Sequence, residues 1–535
     1  MKVLITTSGI GSRLGDITNY TNKALVKIGD KFVIDYIFDT YKNFDTYKNF
    51  ENIEFIITLG HKGDFVKQYL TLAYPNLKNK IKFVNIDLYK GKGSSLGYSL
   101  LQTSKFINEP FIFHCCDTFI LDKLNFNFNE NTLFLYKKDN AAQYSTVNVV
   151  DNNIKKINNK GEKIFDFIYI GLSYIKDYEL FWNYLKQIYE KNIYFHQLSD
   201  IHVYMIMLKA TKFKFKVIDE YFDIGNQNDY NIVLKHFKQN YNVLFKLKES
   251  ISFHDDKVIK FFYDKTINKK RIKRTKYLGD NIPKIYGYTD NFHSMELIKS
   301  KPLSEIYKNG LINKLLNWAY KKLWIQNESE KLSQNYSSEL CYNFYYNKTI
   351  KRIEMFVKNQ LNNDYNIING EYVGSIKELL KNIDFVKLSN SELTVFHGDF
   401  ILDNILLNND NFILIDWRQD FGGDIKKGDK YYDLAKLRHN IYFNHENILN
   451  NLFFIKQIKP NECILDLKCN FFLINQLLEF NNFIKENKLN LNKVKILTAL
   501  IWINMAPLHE YPLSNFLFNF GKYNLYLANK NVDKY

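Results

Sequence analysis

The sequence predicts an α/β protein of two successive domains, over residues 1–238 and 239–535. The chain of 535 residues is too long for one ordinary hydrophobic core. Its first part alternates short apolar runs with helix-length segments, and near residue 240 this pattern restarts and then becomes helix-rich. With 46% hydrophobic and 16% aromatic residues but only seven prolines, the composition is typical of a globular protein and not of a disordered one.

The N-terminal domain begins with β-branched and aromatic runs that are separated by helix-length segments. Four of these runs are predicted strands: Lys2–Thr7, Ile53–Leu59, Ile81–Ile86 and Pro110–His114. This alternation is typical of βαβ units and predicts a mainly parallel sheet.

The C-terminal domain is predicted to open with three short antiparallel strands, Asn242–Phe245, Ser250–Phe253 and Val258–Phe262. After Pro302 helices dominate, and five apolar positions keep helical spacing and are expected in the core: Leu311, Leu315, Leu316, Ala319 and Leu323. No Gly/Ser-rich or Pro-rich linker separates the domains, so we expect a short connection.

The chain carries 73 basic and 57 acidic residues, a formal net charge of +16. Such a charge can favour nucleic acid, anionic membranes or phosphorylated small substrates. The joint abundance of Lys, Asn, Ile, Tyr and Phe favours a coding bias toward A and T as its main source. The basic run Lys269–Lys276 is interpreted as a solvated helix face, with contact to a nucleic-acid backbone as the alternative. We therefore expect no nucleic-acid partner.

The five cysteines form neither a C-x-x-C pair nor an even set, which argues against a disulfide framework and a zinc site. No long apolar segment follows Met1–Thr7, and no run of 18 apolar residues occurs later. These features predict a soluble cytoplasmic protein without membrane insertion, and they leave the oligomeric state open.

A glycine turn follows the first strand and is bracketed by two cations. Gly9, Gly11 and Ser12 would let backbone N–H groups approach a triphosphate, while Arg13 and Lys23 supply fixed positive charges. The third glycine of a dinucleotide-binding fingerprint is missing. The pattern therefore predicts a nucleoside triphosphate site, with Arg13 and Lys23 as catalytic residues.

The segments Gly9-Ile10-Gly11-Ser12-Arg13-Leu14 and Lys23-Ala24-Leu25 resemble the sugar-nucleotide pyrophosphorylase (nucleotidyltransferase) family. The resemblance implies a Rossmann-like, GT-A-like domain with a mixed sheet. It continues at Gly91–Gly97, where Gly93 and Ser94 would lie against the nucleotide.

On this resemblance, Asp117 after an apolar strand and Asp223 in Tyr221–Asn226 are the ligands of Mg²⁺. Gly171, in Tyr169-Ile170-Gly171, would bind the acceptor. Lys163 would bind the acceptor phosphate, but it lies closer to Gly171 than in the family, and a surface lysine is the alternative.

The C-terminal domain contains Phe396-His397-Gly398-Asp399, followed by Asn404 and then by Asp416 in Ile415-Asp416-Trp417. An aspartate, an asparagine five residues later and a carboxylate beyond a short hairpin provide one group to orient a hydroxyl and two to hold Mg²⁺. His397 is predicted to be a structural hydrogen-bonding residue.

These motifs resemble the aminoglycoside phosphotransferase and choline kinase family. The resemblance implies a bilobal, protein-kinase-like α+β fold in which Asp399 is the catalytic base and Asn404 and Asp416 are metal ligands. Lys260 would bind ATP phosphates, and the hinge around Glu296 and Ile298 would bind adenine. In a departure from kinases, no glutamate lies between Lys260 and Glu296 to pair with that lysine.

Together the two resemblances predict a bifunctional enzyme. The C-terminal domain would phosphorylate the hydroxyl of a sugar or polyol with ATP, and the N-terminal domain would couple that phosphate to CTP, UTP or dTTP, with Mg²⁺ at both sites. The product would be an NDP-activated precursor for a surface polysaccharide such as a capsule.

Two alternatives remain open. One is a choline or amino-alcohol kinase combined with a CTP:phosphocholine cytidylyltransferase, which would gain support if aromatic residues lined the C-terminal cleft. Four aromatic candidates are available for this role: Trp318, Tyr320, Trp417 and Trp502. The other is a nucleotide-binding scaffold with one inactive domain.

Overall fold

The computed structural model describes residues 1–42, 52–124, 128–241, 246–306, 308–326, 332–359, 364–409, 411–468 and 471–530. The chain forms two compact units. The first contains Met1–Asn268 and Ile285–Leu297, and the second contains Lys269–Lys284 and Ile298–Tyr535. The domain boundary after residue 238 stays a prediction, and the predicted strand Asn242–Phe245 lies outside the described residues.

Strands and helices alternate through the N-terminal part of the first unit. Its strands are β1 Lys2–Thr6, β2 Lys27–Ile28, β3 Lys31–Phe32, β4 Glu54–Leu59, β5 Ile81–Asn85, β6 Phe111–Cys115, β7 Thr118–Ile120, β8 Asn131–Tyr136, β9 Thr146–Val150, β10 Asn153–Asn158, β11 Phe167–Ile175, β12 Phe213–Val217 and β13 Tyr221–Asp223. Its helices are α1 Val33–Lys42, α2 Gly63–Ala73, α3 Leu96–Leu101, α4 Tyr178–Lys191, α5 Asp200–Met207 and α6 Gln227–His236. The four predicted N-terminal strands are confirmed.

These strands build a mixed sheet in the order β10-β9-β11-β6-β1-β4-β5, with β8 beside β11 and β12 beside β8. The pairs β1–β4, β1–β6 and β4–β5 are parallel, as the βαβ pattern predicts. Strand β11 runs antiparallel to β6 and makes the sheet mixed. The adjacent carboxyl ends of β1 and β6 lead to the glycine turn and to Asp117.

Side chains of β1 alternate between the two faces of the sheet. Val3 and Ile5 belong to one buried cluster and Leu4 to the other. Both faces are therefore covered, which explains why these strands read as continuous apolar runs.

A smaller antiparallel sheet completes the first unit, in the order β14-β15-β17-β16. Its strands are β14 Glu249–Phe253, β15 Lys257–Phe262, β16 Ile285–Tyr288 and β17 Phe292–Glu296, which confirms the two predicted strands that are described. Phe261 and Phe292 join the same core cluster as Val66 of α2. Asp35 of α1 accepts hydrogen bonds from Tyr69 of α2 and from Ser252 of β14, so polar contacts also tie the small sheet to these two helices.

Helix α7, Lys265–Leu278, passes from the first unit into the second. The remaining helices are α8 Leu311–Lys322, α9 Gln334–Tyr342, α10 Lys348–Asn359, α11 Ile376–Lys381, α12 Phe385–Ser389, α13 Lys430–Tyr442, α14 His445–Leu449, α15 Phe471–Glu486, α16 Leu491–Met505 and α17 Leu513–Asn529. Short strands lie between them: β18 Ile367–Ile368, β19 Glu371–Tyr372, β20 Leu393–Thr394, β21 Ile405–Asn408, β22 Asn411–Leu414, β23 Gly428–Asp429, β24 Phe453–Lys459 and β25 Glu462–Leu467.

The second unit has a helical core. The five apolar positions predicted for the core in and after α8 are all buried. Strands β21 and β22 form a hairpin between the segments that carry Asn404 and Asp416. Within the parts of the chain that the structure describes, no helix has both the length and the apolar character needed to cross a bilayer.

Candidate active sites

The glycine turn after β1 lies exposed above Lys23. Gly11 has a φ of 70°, and a Cβ on this residue would lie 3.1 Å from Cγ2 of Thr18 and 3.4 Å from Cβ of Lys23. A glycine is therefore needed both for the left-handed backbone and for the close approach of the loop. Gly9, Ser12 and Arg13 are exposed around it.

Lys23 is held in place by its neighbour Asn22. The Asn22 amide donates to the carbonyl oxygens of Thr7 and His61 at 2.9 and 2.6 Å, and its oxygen accepts from the N–H of Ala24 at 2.8 Å. The ammonium of Lys23 lies 2.6 Å from Oδ2 of Asp117. The structure thus brings together a cation and a carboxylate that the sequence assigned separately.

Asp117 and Asp223 lie on two paired segments. Asp117 precedes β7, Asp223 ends β13 opposite Thr118, and the N–H of Ile224 donates to the carbonyl of Asp117 at 3.0 Å. Burial, followed by the negative charge of Asp117, raises the pKa of Asp223 to about 6. Burial is the largest influence on the pKa of Asp117 and raises it, but the charge and hydrogen bond of Lys23, together with the charge of Arg13, make the net shift downward.

This pair of carboxylates fits Mg²⁺. Their mutual repulsion is what a divalent cation would relieve, and Mg²⁺ is commonly held by one or two carboxylates together with substrate phosphates. Among the described residues, no group of three or more His, Cys, Asp or Glu side chains forms a fuller metal cage. The donor set is therefore suited to a cation that is shared with a phosphate substrate.

Gly171 allows β11 to approach the segment that carries Asp117. Its φ is 81°, and a Cβ there would lie 3.0 Å from Cβ of Cys115. The hydroxyl of Thr118 donates to the carbonyl of Ile170 at 2.6 Å and fixes this contact. The sequence did not single out Tyr144, which hydrogen-bonds Asp223.

The other residues predicted for the N-terminal site lie on surface connections. Gly93 adopts a φ of 91°, and the Ser94 hydroxyl donates to the carbonyl of Gly91 at 2.7 Å. Lys163 is exposed between β10 and β11, where its N–H donates to Glu162. The roles of these residues stay predictions.

In the second unit, the loop around Asp399 is fixed by two buried side chains. The carboxylate of Asp433 accepts from the N–H groups of His397 and Gly398 at 2.8 and 2.7 Å. Nδ1 of His397 accepts from the N–H of Asp399, and Nε2 donates to the carbonyl of Ile415 at 3.0 Å. Burial lowers the pKa of His397 to about 4, so this ring is neutral and structural, in agreement with its predicted role.

Asp399 is flanked by a cation and an amide. The ammonium of Lys436, on α13, lies 2.7 Å from Oδ1 of Asp399, and the amide of Asn404 donates to Oδ2 at 3.2 Å. Burial is the largest influence on the pKa of Asp399 and raises it, but the charge and the hydrogen bond of Lys436 together make the net shift downward. The sequence did not predict Lys436, although its spacing of three residues from Asp433 would have placed it on the same side of α13.

Asp416 lies beside Asn404 and pairs with a basic residue of α7. The N–H of Ile415 donates to the carbonyl of Asn404 at 2.9 Å, and Asp416 itself has a left-handed φ of 57°. Arg271 forms an ion pair with the Asp416 carboxylate. The amide oxygen of Asn404 and the carboxylate of Asp416 are hard oxygen donors on adjacent segments, and they fit Mg²⁺.

The interpretation of Lys269–Lys276 as a solvated face is wrong for two of its members. Arg274 is fully buried, and its guanidinium donates to the carbonyl oxygens of Phe396, His397, Arg418 and Ile425. Arg271 is buried against Asp416. This face is internal because it holds together the two segments that carry Asp399 and Asp416.

The residues predicted to bind ATP are distributed between the two units. Lys260 is buried in β15 and Glu296 ends β17, both in the first unit, whereas Ile298 begins a segment of the second. The carboxylate of Asp264 accepts a hydrogen bond from the backbone N–H of Thr266 and thereby caps the start of α7. The nucleotide-binding roles stay predictions.

The four aromatic residues considered for a choline site are either buried in the core or in contact with other side chains. Trp417 and Trp502 are buried in the core. Trp318 donates to Asn411, and the ring of Tyr320 packs against Phe483.

Comparisons with known proteins divide the chain in two. Residues 371–451 match the phosphotransferase enzyme family. The N-terminal region is 26% identical over 237 residues to the D-glycero-alpha-D-manno-heptose 1-phosphate guanylyltransferase of Campylobacter jejuni, and the match covers 43% of this chain and 97% of that protein.

Solved structures also match this region. The CTP:phosphocholine cytidylyltransferase of Streptococcus pneumoniae is 19% identical, with 44% of this chain and 98% of that chain covered and a TM-score of 0.37. The inositol-1-phosphate CTP transferase of T. maritima is 15% identical, with 44% and 94% covered and a TM-score of 0.33.

The chain is therefore a transferase whose residues 371–451 match the phosphotransferase enzyme family and whose N-terminal region is similar to sugar nucleotidyltransferases.

Proposed function

We propose that this chain carries out two consecutive reactions on one small molecule. The phosphotransferase domain transfers the γ-phosphoryl group of ATP to a hydroxyl of a sugar or polyol. The N-terminal region then joins the new phosphate to CTP, UTP or dTTP and releases pyrophosphate. The proposal rests on two sets of carboxylates in one chain. Asp399 is held by Lys436, and the neighbouring carboxylates Asp117 and Asp223 lie beside the ammonium of Lys23.

The contacts of Asp399 support the first reaction. Lys436 keeps the pKa of this carboxylate low, so it is ionised and can accept the proton of an acceptor hydroxyl. Asn404 holds the other carboxylate oxygen and limits its rotation. Asn404 and Asp416 would hold Mg²⁺, which supplies charge neutralisation at the phosphates of ATP.

The contacts of Lys23 support the second reaction. Its ammonium is buried and paired with Asp117, and Asn22 fixes the backbone of the segment that carries it, so Lys23 offers a pre-positioned positive charge when charge builds up on the triphosphate. Arg13 is exposed at the open side of the turn, and its charge also lowers the pKa of Asp117. Asp117 and Asp223 would hold Mg²⁺, which would neutralise the charge of the triphosphate.

A sugar or polyol acceptor is favoured by the curated relative, whose name describes transfer to a sugar 1-phosphate. Products of this type commonly supply the synthesis of surface polysaccharides, and we extend the proposal to a capsule or a related polymer by that analogy. The choline alternative loses support because Trp417 and Trp502 lie in the core.

The experiment incubates the full chain with ATP, Mg²⁺, each nucleoside triphosphate and a panel of sugars, polyols and amino alcohols, and it follows pyrophosphate release. Asp399→Asn should abolish product formation from a free acceptor, and the phosphorylated acceptor should restore it. Asp117→Asn should not be rescued in this way. Unchanged turnover in either variant would contradict the proposal.

The same two variants test the scaffold alternative. A scaffold with one inactive domain predicts that one of these substitutions leaves every catalysed step unaffected. The proposed bifunctional enzyme predicts that each substitution removes one partial reaction and spares the other.

A further inference from the structure

Four basic side chains form one group in the second unit, since the charges of Arg418, Lys436, Arg352 and the candidate base Asp399 all act on Lys348. Lys348 and Arg352 lie on α10, Arg418 follows Asp416 by two residues, and Lys436 lies on α13. All four are half-buried, so they line an accessible part of this unit.

Distances to two aromatic rings place Lys348 and Arg418 side by side. The ammonium of Lys348 lies 4.1 Å from the ring centre of Phe344 and 5.7 Å from that of Tyr432. The guanidinium carbon of Arg418 lies 5.0 Å from the same Phe344 ring, and Lys436 contacts Asp399. The rings of Phe344 and Tyr432 therefore already carry cations of the chain itself, which makes them poor sites for the ammonium group of a ligand.

The positive charge here exceeds the negative charge. Lys436 forms an ion pair with Asp399, and Arg271 forms one with Asp416. Within the described residues, no carboxylate forms a salt bridge with Lys348, Arg352 or Arg418. Burial, followed by the charges of Arg418, Lys436 and Arg352, lowers the pKa of Lys348 well below its usual value. Gathering like charges in this way is costly unless an anion binds among them.

ATP alone does not account for this excess. Asn404 and Asp416 fit Mg²⁺, which would neutralise phosphate charge at that position. Lys348 and Arg352 belong instead to α10, which carries none of the residues assigned to ATP or metal. An anion on the second substrate is the remaining ligand that these cations can match.

We infer that the acceptor of the phosphotransferase domain carries a carboxylate or phosphate group that Lys348, Arg352 and Arg418 bind, while its hydroxyl lies at Asp399. This inference rests on the proposed kinase function. In the reaction, the hydroxyl oxygen bonds to the γ-phosphorus of ATP, the bond to the β–γ bridging oxygen breaks, ADP leaves and Asp399 takes the proton.

The test offers the full chain each carbon skeleton of the acceptor panel in four forms: neutral polyol, carboxylate, phosphate ester and amine. ADP formation with Mg²⁺ and ATP is measured for every form. The anionic forms should exceed the neutral and amine forms in kcat/KM by about tenfold to a hundredfold. The carboxylate and phosphate arms distinguish the two sources of negative charge. Equal or higher kcat/KM for the neutral or amine forms would overturn the inference.

Variants of α10 give a second measurement. Arg352→Met should raise the KM of the preferred acceptor about tenfold or more and leave the KM of ATP unchanged. Lys351→Met is the matched control, because Lys351 is the exposed neighbour on the same helix. A change in the KM of ATP instead would mean that these cations bind nucleotide, which contradicts the inference. No phosphorylation of any form would overturn the proposed kinase function itself.

Discussion

The ammonium of Lys436 lies 2.7 Å from Oδ1 of Asp399 and lowers the pKa of a carboxyl that burial alone would raise. The candidate base is therefore kept ionised by a residue on a different element, α13. This relationship links the packing of the second unit to the protonation state that its proposed chemistry needs.

Substitution of Lys436 tests this relationship. In Lys436→Met, this cation no longer opposes the effect of burial and the pKa of Asp399 rises, so the acid limb of the phosphorylation rate should move to higher pH. The rate at neutral pH should fall about tenfold or more. Lys430→Met is the control, because Lys430 lies on the same helix and contacts Tyr320 instead. An acid limb at the same pH in both variants would contradict the assignment.

Arg274 is predicted to be a major determinant of stability. Arg274→Met would leave the carbonyl oxygens of Phe396, His397, Arg418 and Ile425 without this donor, at a cost of about 3 to 5 kcal/mol in the free energy of unfolding. Denaturant unfolding of the full chain measures the change. The exposed neighbour in Lys273→Met should change stability by no more than about 0.5 kcal/mol. Equal stability of the two variants would show that Arg274 does not hold this loop.

The nucleotidyl transfer reaction should depend on pH through Asp223. Because burial and Asp117 raise its pKa to about 6, the carboxyl becomes protonated and loses its charge as the pH falls through that value. Protons and Mg²⁺ then compete for one carboxylate, so the acid limb of pyrophosphate release should move to lower pH as Mg²⁺ is increased. Rates from about pH 5 to about pH 8 at two Mg²⁺ concentrations test this. An acid limb that does not respond to Mg²⁺ would contradict the prediction.

Gly171 should be needed for the geometry of the N-terminal site. In Gly171→Ala the new Cβ would meet Cys115 and displace the segment that carries Asp117, so pyrophosphate release should fall about tenfold or more. Gly161→Ala is a matched control, because Gly161 also has a positive φ of 88° but nothing lies within 4 Å of the added atom. Similar losses in both variants would mean that backbone strain alone is responsible.

The sequence predicted those parts of the fold and sites that depend on neighbouring residues. The strands around β1 and the spacing of Asp399, Asn404 and Asp416 are local patterns, and the structure places Asn404 against Asp399. The hydrogen-bonding role of His397 follows from its position beside the loop it supports.

Contacts that join distant segments could not be predicted in the same way. Lys23 and Asp117 are 94 residues apart, and Arg271 and Asp416 are 145 apart. A basic run has the same sequence pattern whether its helix faces water or a buried loop, because only the tertiary partner decides which side is covered. This is why Arg274 was expected in solvent and is found in the core.

The fate of the γ-phosphorus of ATP tests the central claim most directly. The full chain is supplied with a free acceptor, a second nucleoside triphosphate, Mg²⁺ and ATP that is labelled on its γ-phosphorus, and the NDP product is analysed. If the two reactions are consecutive, the label will appear in the product on the phosphorus that is bonded to the acceptor. An NDP-activated acceptor without label, or label recovered only as inorganic phosphate, would contradict the proposal of two consecutive reactions.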